Sequence, residues 1–182
     1  LYCINNNLVK NGNVDYKGII ASLDNIVISF SRNEISGLSE TCLNGEIVET
    51  QIRTLEVSQY VSQISTISEV RRKMVRLQKE MSKNKGVVMD GRDIGTVVFP
   101  DADIKIFMTA DTFIRAKRRY KELIEKNIPA NFEEVEKNIR ERDYIDENRE
   151  DSPLKKADDA ILLDNSHMTV EEQVKWFKKL IQ

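Results

Sequence analysis

The segment Gly86-Val-Val-Met-Asp-Gly-Arg-Asp-Ile-Gly-Thr-Val-Val-Phe-Pro100 decides how this chain is expected to fold. An apolar run over Val87–Met89 ends in Asp90-Gly91-Arg92-Asp93, and a second apolar run begins at Thr96 and stops at Pro100. We predict a buried strand that delivers two carboxylates and a guanidinium to its C-terminal end, where open parallel sheets bind ligands. A strand that merely ends in a polar turn explains most Asp-Gly pairs, but it explains poorly an arginine between two aspartates.

After this segment the sequence alternates between strand and helix patterns. The predicted elements are a buried strand over Ile104–Met108, a helix from Asp111 to about Glu125, a helix with a capping-box pattern at Asn131 and Glu134, a strand over Ala160–Leu163, and a closing helix capped by Thr169 and Glu172. Such alternation is typical of an α/β fold in which helices flank a parallel sheet.

The N-terminal part has a different pattern. A helix tail over Leu1–Leu8 is predicted to stop at a turn over Lys10–Asn13, and a short helix is predicted over Asp15–Leu23. The β-branched residues of Ile26–Phe30 and the hairpin signal Asn44-Gly45 predict a small antiparallel sheet over roughly residues 24–50. Residues 54–83 are predicted to be helical, with a break near residues 66–68.

Composition excludes several classes of protein. The net charge of −2 gives no electrostatic footprint for general nucleic-acid binding, and 182 residues suit one compact domain with a small insert. Two cysteines without ligand spacing and a single histidine argue against structural zinc, a disulfide framework and histidine-dependent catalysis. No apolar run approaches the ~18 residues of a membrane span, and no signal peptide is visible, so the predicted location is the cytoplasm.

Three separated blocks of the chain carry a family resemblance. They are the string from Asp90 to Ala102, Ile52-Arg53-Thr54 with Val61-Ser62-Gln63 and Val70-Arg71, and Glu141-Arg142-Asp143 with Asp146 and Asn148-Arg149. In their order and spacing these blocks resemble the bacterial cytidylate kinases, and the likeness runs from Leu1 to nearly Gln182. The chain departs from the family because it lacks the Gly-rich phosphate-binding loop. Since the sequence opens in what looks like the middle of a helix, we expect that an N-terminal segment is missing from it.

The resemblance implies a P-loop NTPase-like kinase fold that transfers the γ-phosphoryl group of ATP to CMP or dCMP, a step of pyrimidine metabolism. It implies a kinase core over residues 1–23 and 71–182 with a lid at about 111–145, and an insert over 24–70 that binds CMP. Mg²⁺ accompanies ATP and is held in the family by the donor phosphates and the phosphate-binding loop, so no metal ligand is named here. The resemblance also implies a monomer whose partners are nucleotides rather than nucleic acid or membrane.

The resemblance assigns the acceptor phosphate and the base to four residues. Arg92 is implied to hold the α-phosphate of CMP, a role that suits the planar fork of an arginine. Asp93 is implied to accept a hydrogen bond from the cytosine amino group, which uracil replaces with a carbonyl. Ser62 and Arg71 complete the base site, Ser62 at the amino edge and Arg71 at the ring nitrogen and carbonyl.

Three charged residues that follow the helix capped at Asn131 form the second half of the site. Arg142, Asp146 and Arg149 have i, i+4 and i+7 spacing, which places them on one face of a helix. From the residues alone, an ion-pair ladder on the surface explains this spacing equally well. The resemblance implies that Asp146 accepts hydrogen bonds from the ribose hydroxyls, with Arg142 beside it, and that Arg149 spans the two phosphates. Arg92, Arg142 and Arg149 are therefore the predicted catalytic residues.

Four further arginines keep two interpretations each. Arg115, Arg118 and Arg119 form one basic helix face, which the resemblance assigns to ATP and the lid, although a solvated face whose side-chain stems cover apolar surface has the same pattern. Arg53 either contacts a ligand or orients the insert.

Two rival functions remain open at this stage. A uridylate or broader pyrimidine monophosphate kinase is the nearest, and Asp93 together with Ser62 and Arg71 argues against it. A non-catalytic CMP-binding module is the rival from another class, because the chain lacks the lysine and backbone amides that hold the β- and γ-phosphates of ATP.

Overall fold

The computed structural model describes residues 1–83 and 86–181, and the chain divides into two compact units, Leu1–Lys85 and Gly86–Gln182. The first unit contains the helix α1 (Tyr2–Asn5), the strands β1 (Val9–Lys10) and β2 (Asn13–Val14), the helix α2 (Tyr16–Ser22), the strands β3 (Ile28–Arg32), β4 (Ser39–Leu43) and β5 (Glu46–Ile47), and the helices α3 (Leu55–Ser65) and α4 (Ser68–Met81). The second unit contains β6 (Ile106–Thr109), α5 (Thr112–Glu125), α6 (Phe132–Asn148), β7 (Ile161–Asp164) and α7 (Val170–Leu180).

The first hairpin differs from the sequence prediction. We predicted a helix tail as far as Leu8, but α1 ends at Asn5 and β1 pairs antiparallel with β2. Asn11 and Gly12 both have positive φ (51° and 79°), as a two-residue type I′ turn requires. The turn returns Val14 opposite the buried Val9, and Val9 packs with Cys3 and other apolar side chains in the core of this unit.

The small antiparallel sheet is confirmed. Its strand order is β3-β4-β5, and the second turn is the predicted Asn44-Gly45 pair, with φ of 51° and 87°. The side-chain oxygen of Asn44 also accepts a hydrogen bond from the amide of Val27 at 2.8 Å, which ties the hairpin to the residue before β3. Local turn chemistry therefore sets the register of this sheet.

The predicted break in the helical region is also confirmed. Thr54 caps α3 by accepting a hydrogen bond from the amide of Val57, and α4 begins at Ser68. Ile67, at the break, is 6% exposed and packs with Cys3, Val9 and Ile19. The bend thus turns an apolar side chain into the core of the first unit.

Helix caps explain where the helices of the second unit begin. The carboxylate of Asp111 accepts from the amides of Phe113 and Ile114, and Asn131 accepts from the amide of Glu134. Thr169 and Glu172 form both halves of a capping box at the start of α7. β6 and β7 pair in parallel, as the alternating pattern predicted, and the α/β fold class is confirmed.

The strand predicted over Val87–Met89 is wrong. Residues 86–90 have no regular secondary structure, and Val88 is fully exposed. In the part of the chain that the structure describes, β6 and β7 pair only with each other, and this segment is hydrogen-bonded to neither as a strand. The predicted strand over Ile104–Met108 begins later, at Ile106, and Met108 is 49% exposed rather than buried.

The second apolar run of the opening segment forms a π-helical turn, Ile94–Val98. The carbonyl oxygen of Asp93 accepts from the amides of Thr96, Val97 and Val98, and the buried Val98 anchors the turn. Gly91 allows Ile94 to pack closely, because a Cβ atom at position 91 would lie 2.8 Å from the side chain of Ile94. This tight turn presents Arg92 and Asp93 at its start.

No helix in the described ranges, 1–83 and 86–181, is long and apolar enough to cross a bilayer. The predicted kinase core over residues 1–23 and 71–182, the insert over 24–70 and the lid at about 111–145 stay predictions.

Candidate active site

The second unit is built around the buried carboxylate of Asp146 on α6. This side chain accepts hydrogen bonds from Nε of Arg92 at 2.9 Å and from Nη1 of Arg149 at 3.0 Å. Its backbone carbonyl accepts from the amide of Leu154 at 2.7 Å, so the chain after α6 folds back on the same residue. A buried carboxylate between two guanidinium groups is a compensated charge, and removing it would leave a buried cation.

Arg149 is the residue that closes α6. The helix ends at Asn148 and Arg149 is extended, so the predicted single helical face over Arg142, Asp146 and Arg149 holds only as far as Asp146. Arg149 nevertheless reaches Asp146, and its Nε and Nη2 donate to the carbonyl oxygen of Ser152 at 2.9 and 2.7 Å. The guanidinium is therefore buried and fixed in orientation by both carboxylate and backbone.

Arg142 is half-buried beside this group. Burial lowers the pKa of Arg142 and the positive charge of Arg92 lowers it further, while the carboxylates of Asp146 and Asp143 raise it. Two guanidinium groups that lie near each other in a partly buried site favour the binding of an anion between them. The structure thus brings the three predicted catalytic arginines, Arg92, Arg142 and Arg149, around one carboxylate.

Asp93 lies next to this cluster in sequence and is 7% exposed. Ser62 and Arg71 belong to the other unit, Leu1–Lys85, on α3 and α4. The hydroxyl of Ser62 is buried, with 3% of the residue exposed, and it has no hydrogen-bond partner among the residues that the structure describes. A buried hydroxyl in that state costs free energy, which is a reason to look for a ligand group at this position.

The three arginines predicted for the lid have three different sets of partners. Arg115 forms a bidentate pair with Asp143, with N–O distances of 2.9 and 2.7 Å. Arg118 donates to Asn165 and to the backbone of Ser166 in the loop after β7, and Arg119 pairs with Glu122 one turn along α5. Their contacts with ATP stay a prediction.

The structure also shows what Arg53 does. Its Nε and Nη2 donate to Glu49 at 3.0 and 2.6 Å, and the same carboxylate accepts from the amide and hydroxyl of Thr41 on β4. These hydrogen bonds lower the pKa of Glu49 to about 2. Arg53 therefore braces the small sheet, which favours the orienting role over ligand contact.

Sequence reasoning missed Asp143. It was noted only as part of a block, although it lies three residues before Asp146 and so one helical turn away from it. That spacing was the available signal, but its partner Arg115 is 28 residues distant and no local pattern identifies the pair. Within the described residues no group of three or more His, Cys, Asp or Glu side chains is arranged to hold a metal ion.

The chain combines an α/β unit, in which arginines surround a buried carboxylate, with a unit that contains a small antiparallel sheet and helices. Both features are typical of nucleoside monophosphate kinases, a class of phosphotransferases. The family model for cytidylate kinase matches residues 4–182. The chain belongs to the cytidylate kinase family.

Individual relatives agree with this assignment. The chain is 53% identical over 176 residues to a cytidylate kinase of Parabacteroides distasonis, covering 97% of this chain and 77% of the relative. It is 51% identical over 174 residues to that of Flavobacterium psychrophilum, with 96% and 77% covered. For that of Phocaeicola vulgatus the identity is 49% over 182 residues, with 100% and 80% covered. These similarities support a kinase, not the non-catalytic binding module.

Proposed function

We propose that this kinase transfers the γ-phosphoryl group of ATP to CMP or dCMP, giving CDP or dCDP. The observation that carries the proposal is the buried Asp146 between Arg92 and Arg149, with Arg142 half-buried beside them. Guanidinium groups gathered at one place are well suited to bind phosphate oxygens. The relatives' name, cytidylate kinase, supplies the nucleotide.

The arginines act by positioning and by charge. Phosphoryl transfer needs donor and acceptor held in line and positive charge around the transferred group, rather than a protein nucleophile. Arg92 is exposed enough to meet the α-phosphate of CMP, while Arg149 is held by Ser152 in a fixed orientation. In this proposal Arg149 spans the acceptor and transferring phosphates, and Arg142 adds charge beside the ribose.

Asp146 accepts hydrogen bonds from the ribose hydroxyls in this proposal. Both of its oxygens already accept from arginine, so the sugar has to share or replace these bonds. Arg92, whose side chain is 43% exposed, is the partner that can move, whereas the side chain of Arg149 is 2% exposed. CMP binding is therefore proposed to shift Arg92 from Asp146 toward the α-phosphate.

The base is recognised by Asp93, Ser62 and Arg71. A buried carboxylate accepts from the amino group of cytosine and repels the carbonyl of uracil, which is the basis for preferring CMP to UMP. The unsatisfied hydroxyl of Ser62 is consistent with a place left for the base edge.

ATP brings Mg²⁺ with it as part of the substrate, held through the phosphates. Arg118 and Arg119 are proposed to exchange their present partners for ATP phosphates when the lid closes. Closure of the insert and the lid over both nucleotides would exclude water and suppress hydrolysis of ATP.

The test is turnover of CMP, dCMP and UMP with ATP, measured on the intact protein and on Asp93→Ala. We expect CMP and dCMP to be phosphorylated much better than UMP. We expect Asp93→Ala to reduce the CMP preference about 10- to 100-fold, because a hydrogen bond to a charged group contributes about 1.5–3 kcal/mol. Binding of CMP without turnover would contradict the kinase, and equal rates for CMP and UMP would indicate a broader pyrimidine kinase.

A further inference from the structure

Arg115 joins three parts of the second unit. Its Nε donates to the carbonyl of Ala110, directly after β6, and its Nη2 donates to the hydroxyl of Thr112, the first residue of α5. Nη1 and Nη2 also donate to the two oxygens of Asp143 on α6. These bonds use four of the five N–H donors of a guanidinium, and the paired fork fixes the orientation of both groups.

Asp143 and Asp146 lie one turn apart on α6 but serve different partners. Asp146 faces Arg92 and Arg149, whereas Asp143 faces Arg115. The positive charge of Arg115 is therefore matched within the protein, and its pKa is raised first of all by the hydrogen bonds that it donates to Asp143.

The ion pair and an aromatic cluster are two side-chain contacts between α6 and α5 that lie far apart along α6. At the start of α6, Phe132 packs edge-to-face against Phe113 and Tyr120, with ring centroids 5.4 and 5.9 Å apart. Asp143 lies 11 residues further on, which is about 16 Å along a helix. Contacts at two well-separated points define the direction of a helix, which one contact cannot do.

These observations separate the contacts of α6 that change during the reaction from those that do not. In the proposed function, on which this inference rests, nucleotide takes over part of the hydrogen bonding of Asp146. The contact of Asp146 with Arg92 then cannot hold this part of α6 throughout the reaction, and the contact with Arg149 is local, since the two residues lie three positions apart. The pair between Arg115 and Asp143 uses no group that is proposed to bind CMP.

We propose that Arg115 and Asp143 are a positioning pair for the acceptor nucleotide. They hold the end of α6 that carries Arg142 and Asp146 in a fixed position relative to the end of β6. This position is kept while Asp146 replaces its hydrogen bond from Arg92 with one from the ribose. Arg115 acts through Asp143, and its guanidinium does not contact the phosphates of ATP. This proposal differs from the lid role that the family resemblance implied for Arg115.

Steady-state kinetics of Arg115→Ala, Asp143→Asn and the double variant, on the intact protein, test this role. Each is expected to raise KM for CMP about tenfold or more and to leave KM for ATP within about twofold, because displacing a binding group by about 1 Å can cost up to about 100-fold. The double variant is expected to be no worse than either single variant, since all three remove the same interaction. Arg115→Lys keeps the charge without the fork and is expected to resemble Arg115→Ala.

The rival roles give different patterns. If Arg115 were a ligand of ATP phosphate, Arg115→Ala would raise KM for ATP and Asp143→Asn would not, which would overturn the proposal. An inert surface pair would leave both KM values and kcat within about twofold in every variant, which would also overturn it. Lys121→Ala on α5 and Arg140→Ala on α6, each in an exposed intrahelical pair, are the matched charge-removal controls.

Amide hydrogen exchange in the nucleotide-free protein separates this inference from the proposed function. We expect Arg115→Ala and Asp143→Asn to speed exchange over residues 139–149 while the amides at the start of α6, around Val135, stay as in the wild type. Unchanged exchange over 139–149 would overturn the positioning role. Absence of CMP turnover in the wild type would instead overturn the proposed function, and the exchange measurement would still decide whether the pair positions α6.

Discussion

At the scale of single residues, Asp146 has two roles: it pairs with the buried Arg149, and in the proposed function it binds the ribose. One substitution removes both. Asp146→Ala would leave the guanidinium of Arg149 buried without its carboxylate, and removing one partner of a buried pair typically costs about 3–5 kcal/mol. We expect Asp146→Ala to lower the free energy of unfolding by about that much and to reduce turnover of CMP more than that of dCMP. Denaturant unfolding and a comparison of the two substrates check this.

Asp146→Asn is the matched control, because it keeps the shape and one acceptor oxygen. It should be less destabilising than Asp146→Ala and should still change the ratio of CMP to dCMP efficiency. Equal losses for both substrates in both variants would mean that Asp146 is only part of a structural ion pair.

Ser62 allows stability and function to be separated at one residue. Its buried hydroxyl has no partner within the described residues, so Ser62→Ala removes a polar group that costs stability. We expect Ser62→Ala to leave the thermal midpoint unchanged or to raise it, and to raise KM for CMP about 3- to 10-fold, the loss of one hydrogen bond of about 1 kcal/mol.

The control for this prediction is Ser65→Ala on the same helix. The hydroxyl of Ser65 donates to the carbonyl of Ser62 at 2.7 Å, so its removal should reduce stability slightly without raising KM for CMP. A loss of stability in Ser62→Ala with an unchanged KM would contradict the proposed contact with the base.

At the scale of elements, the carboxylate of Glu49 ties β4 to the turn that precedes α3. Its pKa is about 2 in the folded protein and 4.5 without these contacts, so the folded protein favours the charged form. The stabilisation is fully present above about pH 4.5 and is lost as the pH falls toward 2. We expect Glu49→Gln to lower the thermal midpoint at pH 7, and the difference from wild type to shrink between pH 4.5 and 2.

Glu46→Gln, on the exposed strand β5, makes the same change of charge and is the control. Its difference from wild type should not show the same convergence over this range. A Glu49→Gln difference that stayed constant from pH 7 to pH 2 would contradict the role of the carboxylate charge.

Elements that depend on neighbouring residues were predictable from the sequence, whereas those that depend on distant partners were not. The hairpin at Asn44-Gly45 and the cap at Asp111 follow from the preferences of those residues, and the structure confirms both. The segment Val87–Met89 has the composition of a strand, but a strand also needs a neighbour, which no local pattern supplies.

The same distinction applies to the site. The residues Arg142, Asp146 and Arg149 were found because they lie within eight positions of one another, and the contact of Arg149 with Asp146 follows from that spacing. The contact of Arg92 with Asp146 spans 54 positions and was not predicted, because the family resemblance assigned the two residues separately to the phosphate and to the ribose. Side-chain contacts between residues that are distant in the sequence are therefore seen only in the structure.

At the scale of the whole molecule, the net charge of −2 and the local arginine cluster together define what can bind. A protein without overall positive charge does not attract polyanions in general, while a few converging guanidinium groups select a small one. In the proposed function CMP is this small anion, and Asp93 distinguishes it from UMP through the amino group of cytosine. Binding only to the folded state must then raise stability, since the ligand shifts the folding equilibrium.

We therefore expect CMP at about 100 times its Kd to stabilise the intact protein by about 2.7 kcal/mol, which is about 5–11 °C in the thermal midpoint for a chain of this size. UMP at the same concentration should give a smaller shift, and Asp146→Asn should reduce the shift caused by CMP. Thermal unfolding with each nucleotide measures this, and inorganic phosphate at equal concentration controls for simple occupation of the arginines. Equal shifts with CMP and UMP would mean that the arginine cluster binds the phosphate but that the protein does not distinguish the bases. The role of Asp93 would then be wrong, whereas the role of the arginines would still hold.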